Sequence, residues 1–365
     1  MALARVADVL ERAWIPSPWG DEIAAEIALA AERAGDPVPA RGVERALRDA
    51  WGTRPTEELD ELDLDPVAVT PSAQVHRGVL DGAPVAVKVL RPGLAASVRQ
   101  DLALLDGLLA PLGAAFPALD PRALLREVRE RVLEELDLEH EASVQRRFHR
   151  ALRNHPFLTV PAPVTRLAHE GVLVAEWVDG TPILRAPDPD DAAAKLVAFT
   201  LGSARWGTVH ADPVPEDVLV LPDGGLAILD FGATRQVEPA WVDNVLALVE
   251  AFAAEDAAAL GEALAALGVL PASDGPAVLE LARHALGELG GAEPSRLDTD
   301  AVVRARDRLL DRLEELLPLV VKGAAPPADA WPARGIAQLF GTIARVGATG
   351  AWRELMRAAL RDGWG

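Results

Sequence analysis

The chain has 365 residues, half of them hydrophobic, a formal net charge of −20 and no Cys. That length exceeds one average domain and suits two lobes around a shared cleft, while the missing Cys excludes disulfides and thiolate metal sites. The acidic balance disfavours nucleic acid and anionic membrane surfaces as partners, since both are bound through basic footprints.

Residues 1–60 read as a helical extension. Apolar spacing predicts one helix over 21–35 ending at Gly35 and another over 43–52 ending at Gly52. No apolar run reaches the ~18 residues of a transmembrane helix, and Met1 to Trp14 lack a signal-peptide core. A cytoplasmic location is the expectation, with peripheral contact at a membrane as its variant. Two β-rich runs between Pro71 and Leu90 meet at Asp81-Gly82, a hairpin signal. Helical period then returns over 97–112, and again from an Asp120 N-cap and Pro121 to about Leu152, with a bend. Two strand candidates lie between Phe157 and Gly180, followed by a helix capped near Asp188. A hairpin occupies 209–232, and from Trp241 the chain is helical, with breaks near 286–299 and 323–332.

This order gives an α+β class and a two-lobed, protein-kinase-like architecture with extra N-terminal and inserted helices. Residues 61–182 form the strand-rich N-lobe with inserted helices. Residues 183–365 form a mainly helical C-lobe carrying the hairpin.

Only three of the 36 basic residues are Lys: Lys88, Lys195 and Lys322. A Lys retained under such a bias marks a place where an ammonium is needed. Lys88 lies on the second strand of the first hairpin, in Val-Ala-Val-Lys, the pattern of a strand Lys that pairs nucleotide phosphates and a helix carboxylate. The following helix offers Glu134, Glu135, Asp137, Glu139 and Glu141 as partners, and periodicity does not choose among them. Asp212 and Asp217 stand five apart in a Pro-bearing loop, as a kinase catalytic Asp and its metal-binding Asn do. The hairpin then returns the chain to Asp230-Phe231-Gly232. On this reading Asp212 is catalytic, Asp217 and Asp230 are metal ligands, and Gly232 permits a backbone turn.

At these residues the chain resembles the AarF/UbiB family of atypical, protein-kinase-like proteins. The resemblance is carried by "PVAVTPSAQVHRGVLDGAPVAVKVLRPG", "VLEELDLEHEA", "VLVAEWVDG" and "HADPVPEDVLVLPDGGLAILDFG". It implies ATP or ADP with Mg²⁺ as cofactors. It implies that the Ala-rich loop Val67, Ala68, Val69, Thr70, Pro71, Ser72, Ala73, Gln74 and Val75 covers the phosphates, with Glu176 and Val178 beside the adenine. It makes Glu141 the partner of Lys88, and Glu135 and Asp137 a regulatory Glu-x-Asp pair. It points to a role in isoprenoid quinone or lipid metabolism, with a related small molecule or a protein as partner. The departures are Pro71 in the phosphate loop, Val214, Glu216 and Asp217 where the family has His, Gly and Asn, and no Lys-x-Gly-Gln element before Lys88.

Two other readings compete with a phosphotransferase or ATPase. One is a pseudokinase that binds nucleotide and acts by holding a partner; the altered loops favour it. The other is a relative of the aminoglycoside or choline phosphotransferases, which the Ala-rich loop and the Glu-Leu-Asp segment disfavour.

Overall fold

The Asp81-Gly82 pair turns the chain with both residues left-handed, at φ 50° and 77°, which matches the twist of the strands it joins. A computed structural model describes residues 36–94, 96, 98–100, 121–324 and 326–364. The expected helix over 21–35, most of that over 97–112 and the Asp120 cap lie outside them. The turn links β3 (Ala73–Leu80) to β4 (Ala83–Leu90). These strands sit within an antiparallel sheet ordered β1 (Glu61–Leu62), β3, β4, β6 (Val172–Glu176), with β2 (Ala68–Val69) paired to β3.

Alternation along β4 assigns its two faces. Val85, Val87 and Val89 are buried with Val172 and Val174 against Val43 and Leu47 of helix α1 (Ala40–Trp51). Lys88 therefore points to the opposite side, centred in the sheet between Val75 and Leu173.

The long helical stretch breaks into α2 (Pro121–Glu134) and α3 (Leu138–Ala151). Asp137 is the reason: its carboxylate accepts from the Glu139 and His140 N–H groups and caps α3. Helix α3 straddles the lobes. Leu138 and Ala142 pack on Leu173 of the sheet, whereas Phe148 joins the large C-lobe core. The strand candidate at Leu158–Thr159, β5, does not enter the N-lobe sheet. It pairs in parallel with β10 (Leu226–Ile228), which pairs in turn with β9 (Val218–Val220), and β9 with β7 (Thr181–Pro182).

The C-lobe is organised around the buried α4 (Pro189–Arg205), capped by Asp188. Helices α5 (Pro239–Ala253), α6 (Ala257–Ala266), α7 (Gly275–Leu286), α8 (Thr299–Asp311), α9 (Leu313–Lys322), α10 (Ala330–Val346) and α11 (Trp352–Asp362) complete it. Phe199, Leu196, Leu339, Ile343 and Leu360 lie in its core. No helix among the described residues is long and apolar enough to cross a membrane.

Candidate active site

The β9–β10 hairpin places the acidic residues. Val218 stands opposite Ile228, so Asp217, just before β9, and Asp230, two residues after β10, leave the same end of the hairpin. The Leu221–Gly225 turn closes the other end with Gly224 at φ 84° and the Gly225 N–H donated to Asp223. Strand β8 (Thr208–His210) pairs with β11 (Thr234–Gln236), and the Ala211 N–H bonds the Ala233 carbonyl. That pairing sets Asp212 beside the Asp230–Gly232 segment.

Lys88 meets both lobes at this point. Its Nζ lies 2.8 and 2.9 Å from the two oxygens of Glu141 and 2.5 Å from Asp230 Oδ2. Phe231 is fully buried against Phe148 of α3, with ring centroids 4.9 Å apart. It also meets His210 edge-on at 5.5 Å, and His210 Nε2 donates to the Asp230 carbonyl at 2.7 Å. Glu141 and Phe148 are seven residues apart on one helix face, so seating Phe231 also seats Glu141. This is the arrangement a kinase needs for the strand Lys, the helix Glu and the Asp-Phe-Gly carboxylate to act together.

The chain bends at Gly232 as expected, and the glycine is needed there for space as well. Its φ is not left-handed; instead a Cβ there would stand 3.3 Å from Asp230 Oδ1 and 3.4 Å from Glu141 Oε2. Glycine allows the two carboxylates to close around the backbone.

The electrostatics are those of too many carboxylates for the cations present. Burial and the nearby Asp230 charge push Glu141 up to about 7, against the pull of Lys88. Burial and Asp230 also raise Asp217 well above the usual carboxylate range. Burial works against the Lys88 charge, but Asp230 and Glu141 overcome it and hold the ammonium proton above its ordinary value. One ammonium thus serves two carboxylates, and the pair titrates as a group. For Glu141 the sign is definite. Between its ordinary 4.5 and about 7 the folded chain keeps a proton that the unfolded chain has lost. Its contribution to stability is complete below 4.5 and falls as pH rises through that window.

No group of three or more His, Asp or Glu among the described residues could hold a metal ion alone. The donor set nonetheless fits Mg²⁺ shared with a phosphate, which takes one or two carboxylates and leaves the remaining positions to phosphate and water. Burial, and then the Asp230 charge beside it, raise Asp217, and a divalent charge between the two carboxylates relieves the repulsion.

The residues from Val67 to Val75, expected to cover phosphates, divide by face and exposure. Val67 and Val69 are exposed apolar side chains. Ala68 pairs with Val75 across β2 and β3. Thr70 and Ala73 close the turn between these strands, the Thr70 hydroxyl bonding both backbone groups of Ala73. Pro71 follows Thr70 in this turn, where its fixed φ suits a first corner position. The Ser72 and Thr70 carbonyls accept from Arg91. Gln74 is buried and turned away from the cleft, accepting from the Val38 N–H and donating to His76. At the far end of the sheet Glu176 faces Val85 and accepts from the Ala162 N–H, with Val178 two residues on and half-buried.

Two residues unsuspected from sequence stand in the site. Arg334 of α10 reaches Asp212 at 2.8 Å and Glu135 at 3.5 Å. Arg345, on the same helix, reaches Glu216 at 2.8 Å. So Glu135 meets a C-lobe cation and Asp137 a helix end. These two residues share a motif but not a partner.

The profile of the ABC1 atypical kinase-like domain matches residues 32–264. The chain is similar to an atypical kinase, mitochondrial COQ8B of Danio rerio, at 24% identity over 303 residues, covering 81% of this chain and 48% of that protein. It is 29% identical over 219 residues to a probable protein kinase UbiB of Marinobacter nauticus, covering 56% of this chain and 40% of the other. The curated relatives it matches are longer, and the chain spans about half their length or less, from 30% to 55%. Among solved structures, Rv3197 of Mycobacterium tuberculosis, in complex with erythromycin, superposes with a TM-score of 0.68 at 25% identity, over 99% of this chain and 91% of that one.

Proposed function

We propose that this chain, which belongs to the ABC1 atypical kinase-like family, binds ATP with Mg²⁺ and transfers or hydrolyses its terminal phosphate. The observation that carries the reading is the Lys88 ammonium bonded at once to Glu141 and Asp230, with Phe231 seated under α3. Lys88 and Glu141 position the phosphates. Asp217 and Asp230 would hold Mg²⁺, which when bound offsets charge on the phosphate oxygens. Asp212 orients or deprotonates the attacking hydroxyl or water. The loop Val67–Val75 would cover the phosphates, and Glu176 and Val178 would flank the base. The Glu135 and Asp137 pair is a candidate regulatory element. The family resemblance alone supplies the acceptor class, a small molecule of isoprenoid quinone or lipid metabolism.

The altered loop residues are compatible with turnover. Glu216 is exposed and paired with Arg345, and Asp217 keeps an oxygen donor. A pseudokinase would bind nucleotide without turning it over, so one titration separates the readings. Mg-ATP and Mg-ADP should each raise the melting temperature, and ATP alone in chelator should do so far less. ATP consumption in the same samples distinguishes enzyme from binder. No shift with any nucleotide and metal refutes both.

Metal binding should also move protons. At pH 7 Glu141 is poised near its midpoint, and charge placed on Asp230 removes a cause of its elevation. Titrating Mg-nucleotide near pH 7 should therefore release protons, read calorimetrically as a heat that depends on the ionisation enthalpy of the buffer. Equal heats across buffers would mean that the carboxylates of the site exchange no net proton on binding.

A further inference from the structure

Helix α10 contacts the catalytic loop along its whole length. A Cβ on Gly335 would stand 2.8 Å from the His210 carbonyl oxygen and 2.9 Å from Ala211 Cα, so only glycine lets the helix lie this close. Arg334 binds Asp212 Oδ2 at 2.8 Å. The Thr342 hydroxyl donates to the Pro213 carbonyl at 2.7 Å. Arg345 pairs with Glu216 at 2.8 Å. Positions 334, 335, 342 and 345 fall within about a third of the helix circumference at 100° per residue. From Gly335 through Thr342 to Arg345 they meet residues 210–211, 213 and 216 in the same order, with Arg334 reaching Asp212 beside them, so the helix reads as a template for the loop.

The four contacts are unequal. Arg345 and Glu216 are both substantially exposed, and such pairs contribute little. The Arg334 side chain is only 6% exposed and its partner Glu135 5%. Its guanidinium carbon lies 5.5 Å from the Trp331 ring, which packs with Leu136 and Ala211. A cation in such a pocket is held by its carboxylates, and it fixes them in return. Glu135 lies in the break between α2 and α3 and Asp212 on the catalytic loop, so one guanidinium ties the two together. Its planar fork suits two separate acceptors better than an ammonium does.

We infer that Arg334 is a positioning residue that orients the Asp212 carboxylate, with Glu135 as its anchor and the α10 face as its template. The inference rests on the reading of Asp212 as the catalytic carboxylate. Arg334 touches neither nucleotide nor acceptor in this scheme, and its effect passes entirely through Asp212.

The test compares ATP turnover and nucleotide affinity in the wild type, Arg334→Lys, Arg334→Met with Glu135→Gln, and each of these with Asp212→Asn. The paired change removes the carboxylate that Arg334→Met would strand, and Arg334→Lys keeps a cation in the pocket, so the fold is guarded in two ways. The Met/Gln pair should lose about 10²-fold in kcat, the scale of a misplaced catalytic group, with nucleotide Kd changed less than about 3-fold. Arg334→Lys should recover part of that loss, because it restores the charge without the fork. In the Asp212→Asn background the same changes should cost almost nothing further, since residues acting as one unit are not additive. Wild-type kcat in both variants, or a full additional loss on top of Asp212→Asn, overturns the inference and leaves the proposed function standing. A wild-type chain that binds Mg-ATP but turns none over overturns both.

Discussion

Replacing Lys88 with Ala is expected to abolish the rise in melting temperature caused by Mg-ATP. A ligand at a hundredfold excess over its Kd adds about 2.7 kcal/mol to the folded state, which for a chain of this size amounts to several degrees. Lys88 is the cation at the centre of the sheet that points into the cleft, so on the proposed reading its loss removes the group opposite the phosphates. The same substitution acts on the nucleotide-free protein. Glu141 is almost completely buried beside Asp230, and without Lys88 the two carboxylates face each other uncompensated. Breaking a buried pair in this way costs about 3–5 kcal/mol unless a proton fills the gap. Glu141 already leans toward the neutral form with Lys88 in place, and losing the ammonium pushes it further that way, so it should hold that proton throughout the acidic range and past neutrality. The nucleotide-free variant should therefore be nearly as stable as wild type at pH 5.5 and clearly weaker at pH 8. A full nucleotide shift in Lys88→Ala would show that Lys88 does not hold phosphate. A pH-independent loss would show that Glu141 is ionised throughout.

Much of this site was legible because its parts lie close together in sequence or on strands of regular period. Alternation along β4 separates Lys88 from Val85, Val87 and Val89, and the Asp81-Gly82 turn sets the register. The spacing from Asp212 to Asp217 to Asp230 needs only one hairpin to become a cluster. The choice of Glu141 came from the family resemblance, since five acidic residues share that stretch of helix and periodicity treats them alike. In the structure Glu141 is 1% exposed and Glu139 is on the surface, a difference made by the tertiary packing of α3 under Leu173 and over Phe231.

Other features had no local signature. Gln74 and His76 occupy buried positions of β3, which alternation assigns to apolar side chains. They are tolerated because Gln74, His76, Val38 and Asp63 hydrogen-bond one another, a network joining residues up to 38 positions apart. Arg334 reaches back 122 positions to Asp212 and 199 to Glu135. In sequence it is one of two Arg on an apolar helix, and only the burial of the helix face that carries it distinguishes it. A polar residue at a core position and a functional residue at a cleft look alike until the partner across the fold is known.

Asp212→Asn should lower ATP turnover by about 10²- to 10⁴-fold, the range for removing a general base, and leave nucleotide affinity close to wild type. The split follows from where the residue sits. Asp212 is placed by β8, by the Ala211 bond to Ala233 and by Arg334, whereas on the proposed reading the phosphates fall to Lys88, held by Glu141, and the metal to Asp217 and Asp230. The substitution keeps size and shape and removes only the charge and the proton-accepting capacity. It also leaves Arg334 with Glu135 as a remaining carboxylate partner, so the fold should survive and the melting temperature of the free protein should move little. A shift with Mg-ATP equal to wild type, together with the loss of turnover, assigns the chemical role to this carboxylate. Turnover that persists in Asp212→Asn would move the base elsewhere. The neighbouring candidate would then be Asp217, which burial and Asp230 already drive toward the protonated form; it is a poor proton acceptor until metal is bound, and activity routed through it would depend steeply on Mg²⁺ concentration.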